Sequence, residues 1–288
     1  MSVVKIPDAS GKTLTLLEWE GRLYPNYKHP DIVKNIPSLK LREDDVILCS
    51  YPKSGTYWMF EICRMLKNGR VDLEQIPKGK FMAELIPQED LDQEPPPRVI
   101  NTHVRFDNLP KDIKTKKPKI VYIRRNPKDV AVSLYNYTTR ITPLYEYDGE
   151  FKDYLELFTA GKVDYGSWFD YVLDWEKVIR ENKELSILEL SYEDLKENPI
   201  REIRRVSDFL GVERNEDLIE SIKDTCKFEA IQERFKGHIQ FLEDRNKAIY
   251  RKGEVGDWRN WFSVAVNDWF DEIYKSKMAG SKLKFRFT

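Results

Sequence analysis

Short runs of β-branched and apolar residues recur along the chain, and each gives way to polar residues at its carboxyl end. Val46-Ile47-Leu48 runs into a glycine-containing loop and then an apolar helical stretch over residues 56–66. Val99-Ile100 is followed directly by Asn101, Thr102 and His103. Lys119-Ile120-Val121-Tyr122-Ile123 ends in Arg124-Arg125-Asn126, with Pro127 where a helix is predicted to begin. A further run over 185–190 precedes a loop and a helix after Pro199. Such short apolar runs read as buried strands. Strand, loop and helix in repeated order predict an α/β fold: a mainly parallel central sheet flanked by helices, with one strand-loop-helix phosphate site resembling a P-loop. In sheets of this kind ligands bind beyond the carboxyl ends of the strands, where the polar residues cluster here.

Two stretches interrupt the pattern. Residues 87–98 are rich in proline and acidic side chains, and 142–150 carries Pro143 and Gly149; both read as irregular surface loops. They lie inside the α/β pattern and not between two such patterns, so residues 1–288 are expected to form a single domain. A chain of 288 residues with 41% hydrophobic side chains suits a sizeable core. The 48 basic and 49 acidic side chains nearly cancel, which argues against a global field for nucleic acid or acidic membranes. Anion recognition must then come from local clusters. Cys49, Cys63 and Cys226 are odd in number and lack metal-ligand spacing; they read as buried reduced thiols, and no metal is expected. Residues 1–12 hold no apolar core of signal-peptide length, and no run approaches the roughly 18 apolar residues of a membrane span. The expectation is a soluble cytoplasmic protein.

The chemistry concentrates first in Ser50-Tyr51-Pro52-Lys53-Ser54-Gly55-Thr56-Tyr57-Trp58. Gly55 permits positive φ, and the amides over 54–57 would point at an anion on the helix N-terminus. Lys53 adds a point charge, while Ser54 and Thr56 add hydroxyl donors. The Walker A spacing is absent, which argues against a P-loop kinase. An ordinary strand-to-helix turn would explain the glycine but not Lys, Ser and Thr beside it.

This loop, ending in an aromatic pair, resembles the 5′-phosphosulfate loop of the cytosolic sulfotransferases. These enzymes use 3′-phosphoadenosine 5′-phosphosulfate (PAPS) and release the 3′,5′-bisphosphate, PAP. Arg125-Asn126-Pro127-Lys128-Asp129-Val130-Ala131-Val132-Ser133 resembles that family's 3′-phosphate motif. Tyr165-Gly166-Ser167-Trp168, Tyr192-Glu193-Asp194-Leu195 and Arg251-Lys252-Gly253-Glu254-Val255-Gly256-Asp257-Trp258 resemble later blocks in the family's order.

The resemblance implies roles residue by residue. Lys53, Ser54, Gly55, Thr56 and Tyr57 would hold the 5′-phosphosulfate. Arg125 and Ser133 would grip the 3′-phosphate, with Arg251, Lys252 and the Gly253 amide closing over it. Trp58, Tyr192 and Phe228 would hold the adenine. Cys226 stands where many relatives have Thr or Ser, which weakens its donor contact. His103 matches the general base, Lys53 would neutralise charge on the departing phosphate, and Ser133 would restrain Lys53. The implied reaction is in-line transfer of a sulfuryl group from PAPS to the hydroxyl or amine of a small acceptor.

Two departures from the family pattern stand out. Relatives commonly read Lys-Thr-His where this chain has Asn101-Thr102-His103, so Asn101 would offer the transferred group an uncharged donor in place of a cation. Val104-Arg105-Phe106-Asp107 is more polar than the usual continuation. Phe81, Met82, Leu85 and Ile86 are candidate acceptor-pocket residues, with the two loops as gates. Arg259, Ser263, Val264 and Asp268 resemble the family's short dimer segment and imply a homodimer through residues 259–268. Two other readings stay open at this stage: a PAP- or PAPS-binding module with weak or lost catalysis, and a PAPS-dependent dehydratase.

Overall fold

The computed structural model describes residues 1–71, 78–213, 215–234 and 251–288. Backbone contacts divide the chain into two compact units, each assembled from separated stretches of sequence.

The first unit holds the N-terminus, residues 125–180 and the C-terminal segment. Its sheet is an antiparallel meander of β1 (Ser2–Pro7), β2 (Thr13–Trp19) and β3 (Arg22–Tyr24). The pairing runs from Ser2 opposite Glu18 to Pro7 opposite Thr13. The alternation Thr13-Leu14-Thr15-Leu16 carries the two-residue period of a strand, and Leu14, Leu16 and Leu17 are buried. Asp8 closes the β1–β2 turn by accepting from the Ser10 and Lys12 amides, both at 2.9 Å.

The same Asp8 accepts from the Tyr147 hydroxyl at 2.8 Å, Thr15 donates to Glu146 at 2.9 Å and Lys12 pairs with Asp148 at 2.8 Å. The 142–150 stretch, expected as an irregular surface loop, is therefore tied down. It opens with a helical turn, Thr142–Tyr145, and buries the rings of Tyr145 and Tyr147. The helix Pro127–Arg140 begins as its sequence predicts, with Pro127 in the first turn and the Asn126 side chain accepting from the Asp129 amide. Helices Phe151–Thr159 and Trp168–Glu181 supply buried Tyr154, Phe158, Trp168 and Trp175. The last helix, Val264–Lys277, is capped by Ser263.

The second unit carries the predicted parallel sheet, made of β4 (Val46–Cys49), β5 (Val99–Thr102), β6 (Lys119–Arg124) and β7 (Ile187–Ser191). The strands lie in the order β5-β4-β6-β7. Val46 lies opposite both Val99 and Lys119, and Ile120 opposite Ile187. β4 and β5 are buried along their whole length; β4 reads as an unbroken apolar run, while the second half of β5 is Asn101 and Thr102. Asn101 and Thr102 belong to β5, so His103 is the first residue past the strand. Helices Thr56–Asn68, Tyr192–Glu197 and Pro199–Leu210 belong to this unit and pack with the sheet. The 87–98 stretch is also more ordered than expected, since Gln88–Gln93 is helical.

One ion pair sets where β4 and β5 begin. Arg98 grips Asp45 with both arms, Nε to Oδ1 at 2.7 Å and Nη2 to Oδ2 at 2.6 Å, and its Nη1 donates to the Leu91 carbonyl at 2.9 Å. Both side chains are fully buried. The Val46 amide donates to the Arg98 carbonyl at 2.9 Å, so the pair and the first ladder bond act together.

The three cysteines are free and buried. Burial, with the Glu84 charge nearby, pushes the Cys49 thiol well above its ordinary value, and burial pushes Cys63 up to about 12. Among the described residues, no helix is long and apolar enough to cross a membrane.

Removing one partner of a buried, fully bonded ion pair strands the other charge, a loss of roughly 3–5 kcal/mol. Arg98→Ala should lower stability by that order in urea unfolding. Arg98→Met combined with Asp45→Leu should recover most of it, because no charge is then left buried.

Candidate active site

In the second unit the stretch between β4 and the Thr56–Asn68 helix forms a tight anion-ready turn. Lys53 (φ 66°) and Gly55 (φ 100°) are both left-handed, and Ser54 between them donates its amide to the Tyr51 carbonyl at 3.3 Å. Alternating backbone of this kind turns successive N–H groups to one side. The helix starts at Gly55 with no side-chain cap, and the Ser54 hydroxyl is buried with no hydrogen-bond partner among the described residues. An uncapped first turn beside an orphaned buried hydroxyl suits a multiply charged oxyanion. Thr56 is already engaged, its hydroxyl 2.6 Å from that of Ser50.

Gly55 is required twice over. Its φ belongs to glycine, and an added Cβ would lie 2.7 Å from Cδ2 of Tyr192. Tyr192 opens the Tyr192–Glu197 helix, where the Ser191 side chain caps the amide of Asp194 at 3.3 Å. The Tyr192 ring meets Trp58 edge-on, with centroids 5.8 Å apart. The loop and this aromatic pair thus form one packed group. Phe228, half-buried, opens the Phe228–Arg234 helix. Cys226 is buried at the end of Glu216–Thr225, where its amide bonds the Ile222 carbonyl at 2.8 Å.

His103 lies at the end of β5, 8% exposed. Its Nδ1 is 2.9 Å from the Ser50 carbonyl oxygen and 3.4 Å from the Ser50 hydroxyl. A carbonyl oxygen only accepts, so Nδ1 carries the hydrogen in the neutral ring and Nε2 carries the lone pair. The His103 amide donates to Glu84 Oε1 at 2.7 Å. Asn101 is fully buried, and its Nδ2 donates to the Phe81 carbonyl at 2.9 Å. The amide expected at the transferred group thus makes a bond to the main chain. Of the candidate acceptor residues, Phe81, Met82 and Ile86 are buried and Leu85 is exposed. Arg105 is half-buried and Asp107 exposed.

The first unit gathers the other cationic residues. Arg125 donates through Nη2 to the Glu254 carbonyl at 2.7 Å, and Ser133 is half-buried on the Pro127–Arg140 helix. Asp129 of that helix is buried and accepts from the amides of Gly256 at 2.8 Å and Trp258 at 3.1 Å. Arg251 and Lys252 both pair with Asp257, the lysine at 2.5 Å. Gly253 between these pairs and Glu254 is left-handed at φ 67°. Burial pushes the Asp257 carboxyl up, but hydrogen bonds from Lys252, Asn260 and Arg251 outweigh it and hold the group down at about 2.

Four residues of these clusters escaped the sequence reading: Ser50, Glu84, Asp129 and Asp257. All but Glu84 lie inside the quoted motifs. Glu84 left one trace, a lone acid in the apolar run Phe81-Met82-Ala83-Glu84-Leu85-Ile86.

Because the Asp257 carboxyl is held below its ordinary 3.8, its stabilisation is present above that value and is lost as the pH falls toward about 2. The stability gap between the wild type and Asp257→Asn should therefore shrink between about pH 4 and about pH 2, as followed by tryptophan fluorescence during urea unfolding.

A family model for the sulfotransferase domain matches residues 43–282. Sulfotransferase 6B1 of Danio rerio is 37% identical over 273 residues, covering 93% of this chain and 90% of its own length. The crystal structure of mouse sulfotransferase SULT7A1, complexed with PAP, superposes with a TM-score of 0.77 at 32% identity, covering 92% of this chain and 96% of its own. Retinol dehydratase, in complex with androsterone and PAP, has the same fold, with a TM-score of 0.74 at 22% identity over 96% of this chain and 92% of its own. A match that begins just before β4 and ends beyond the last helix takes in the loop after β4, His103, Arg125 and the Arg251–Asp257 segment, and the chain belongs to the sulfotransferase family.

Proposed function

We propose that the chain transfers a sulfuryl group from PAPS to the hydroxyl of a small acceptor, with Nε2 of His103 as the general base. The observation that carries this reading is the 2.9 Å contact of His103 Nδ1 with the Ser50 carbonyl, which assigns the lone pair to Nε2. The acceptor hydroxyl gives its proton to Nε2 while its oxygen bonds to sulfur. The bond from sulfur to the bridging oxygen breaks, and that electron pair leaves with the 5′-phosphate of PAP. Most of the acceleration then comes from alignment and from charge placed where negative charge grows.

Lys53 and the loop amides take the 5′-phosphosulfate, and Lys53 stabilises the departing phosphate. The left-handed turn and the buried Ser54 hydroxyl support this role. Arg125, Ser133, Arg251, Lys252 and the Gly253 amide take the 3′-phosphate, while Trp58, Tyr192 and Phe228 take the adenine. The edge-on contact of Trp58 with Tyr192 supports an aromatic wall there. In this reading residues 1–288 work as one sulfotransferase domain in the cytoplasm. A homodimer through residues 259–268 is supported by Val264, which is 80% exposed at the start of the last helix. So short a segment implies a small interface.

The test is incubation with sulfur-labelled PAPS and a panel of phenols, steroids, amines and aliphatic alcohols, beside His103→Ala. Label should move to at least one acceptor as a sulfate ester, and the variant should lose about 100-fold or more of that rate. It should still bind PAP in calorimetry. Transfer that survives in His103→Ala would reassign the base; a dehydrated product in place of the ester would make the chain a dehydratase. Light scattering at micromolar concentration should report a dimer, and a monomer there removes the assembly.

A further inference from the structure

The segment 81–84 runs beside the end of β5 and is keyed to it at successive positions. Asn101 Nδ2 donates to the Phe81 carbonyl at 2.9 Å, and Met82 forms a parallel bridge with Asn101. The Ala83 amide donates to the Asn101 carbonyl at 2.9 Å, and Glu84 accepts from the His103 amide at 2.7 Å. β5 is an edge strand of its sheet, so this short pairing covers its exposed side. The ladder continues for only one backbone bridge, and side chains supply the bonds on either side of it.

We infer that Asn101 is a positioning residue for acceptor recognition, holding the Phe81–Ile86 segment in register with His103. The inference rests on the transfer reading above and assigns Asn101 a task other than charge stabilisation of the group in transit. Its short side chain turns the amide back onto the neighbouring main chain. A lysine carries its donors at the end of a four-carbon stem and has no such planar amide. The segment it holds is apolar and buried at Phe81, Met82 and Ile86, with the Phe81 ring 6.0 Å from that of Phe60. Backbone bonds from Leu85 and Ile86 to the Met82 carbonyl, at 2.8 and 3.0 Å, make the segment a compact turn. A shift of that turn moves an apolar surface relative to the base. Glu84 shares the task from the other side, because its carboxylate fixes the main chain at His103 itself.

Two measurements on the full chain test this. In steady-state kinetics with PAPS and 4-nitrophenol, Asn101→Ala and Asn101→Lys should each raise the acceptor KM about tenfold, the scale of one lost buried hydrogen bond. Their affinity for PAP should stay within about twofold of the wild type. In amide hydrogen exchange, Ala83 should exchange about tenfold faster in both variants, and Glu84→Gln, which keeps an acceptor, should show a smaller change than Glu84→Ala. A fall in kcat with the acceptor KM unchanged, or a rise in kcat in Asn101→Lys, would overturn the inference and return Asn101 to the transferred group. Unaltered exchange at Ala83 in Asn101→Ala would overturn it as well. If the wild type neither transfers label nor binds PAP, the functional reading fails by itself, and the exchange measurement still decides the register.

Discussion

The buried clasp of Arg98 on Asp45 is the constraint on which the second unit depends. It joins the residues immediately before β4 and β5, four-residue strands that lead to the Lys53–Gly55 loop and to His103. At about 3.3 Å per residue the strands carry that register over roughly 13 Å. A slip of one residue would turn every side chain of β5 to the opposite face. It would take the His103 ring away from the Ser50 carbonyl and Asn101 away from Phe81. A buried ion pair is a poor source of net stability against an apolar replacement. Its two-armed geometry is what a register needs, because few other offsets satisfy both nitrogens and the Leu91 carbonyl together.

Charge in this protein is arranged locally. A net charge of −1 gives no long-range attraction for an anion, and Arg251 and Lys252 are held by an acid of their own motif. Asp129 fixes main-chain amides near Gly256, and Asp257 receives both Arg251 and Lys252. A side chain already held in place loses less freedom when a ligand arrives, though the ligand then competes with the carboxylate that holds it. Lys128 shows the other outcome. It is buried beside Trp258 at 4.5 Å and paired with Asp271 at 2.5 Å, a cation used to fasten the last helix.

The parallel sheet was legible because β4 and the middle of β6 are buried, unbroken apolar runs, each leading into polar residues at its carboxyl end. The loop after β4 was legible because glycine, lysine and hydroxyl residues adjoin one another at a strand-to-helix junction. The N-terminal meander was missed because β1 is largely exposed and β3 is only three residues long, so β2 has no visible partner in the sequence. Residues 87–98 and 142–150 were misread for a different reason. Their order comes from partners far away in the sequence, such as Asp8 for Tyr147 and Asp45 for Arg98, and no local pattern encodes those meetings. Glu84 belongs to the same class. A lone carboxylate in an apolar run gives no sign of the amide it will bind, and Asn101 showed its departure from the family pattern without showing what the departure does.

Cys49 in β4, Cys63 in the Thr56–Asn68 helix and Cys226 after Glu216–Thr225 are all buried within the second unit. A protonated, inaccessible thiol reacts slowly with oxidants and alkylating agents. The native protein is thereby protected from oxidative inactivation at these positions, while an opened chain exposes three reactive sulfurs together. Thiol modification thus becomes an internal clock for opening of the unit that carries His103.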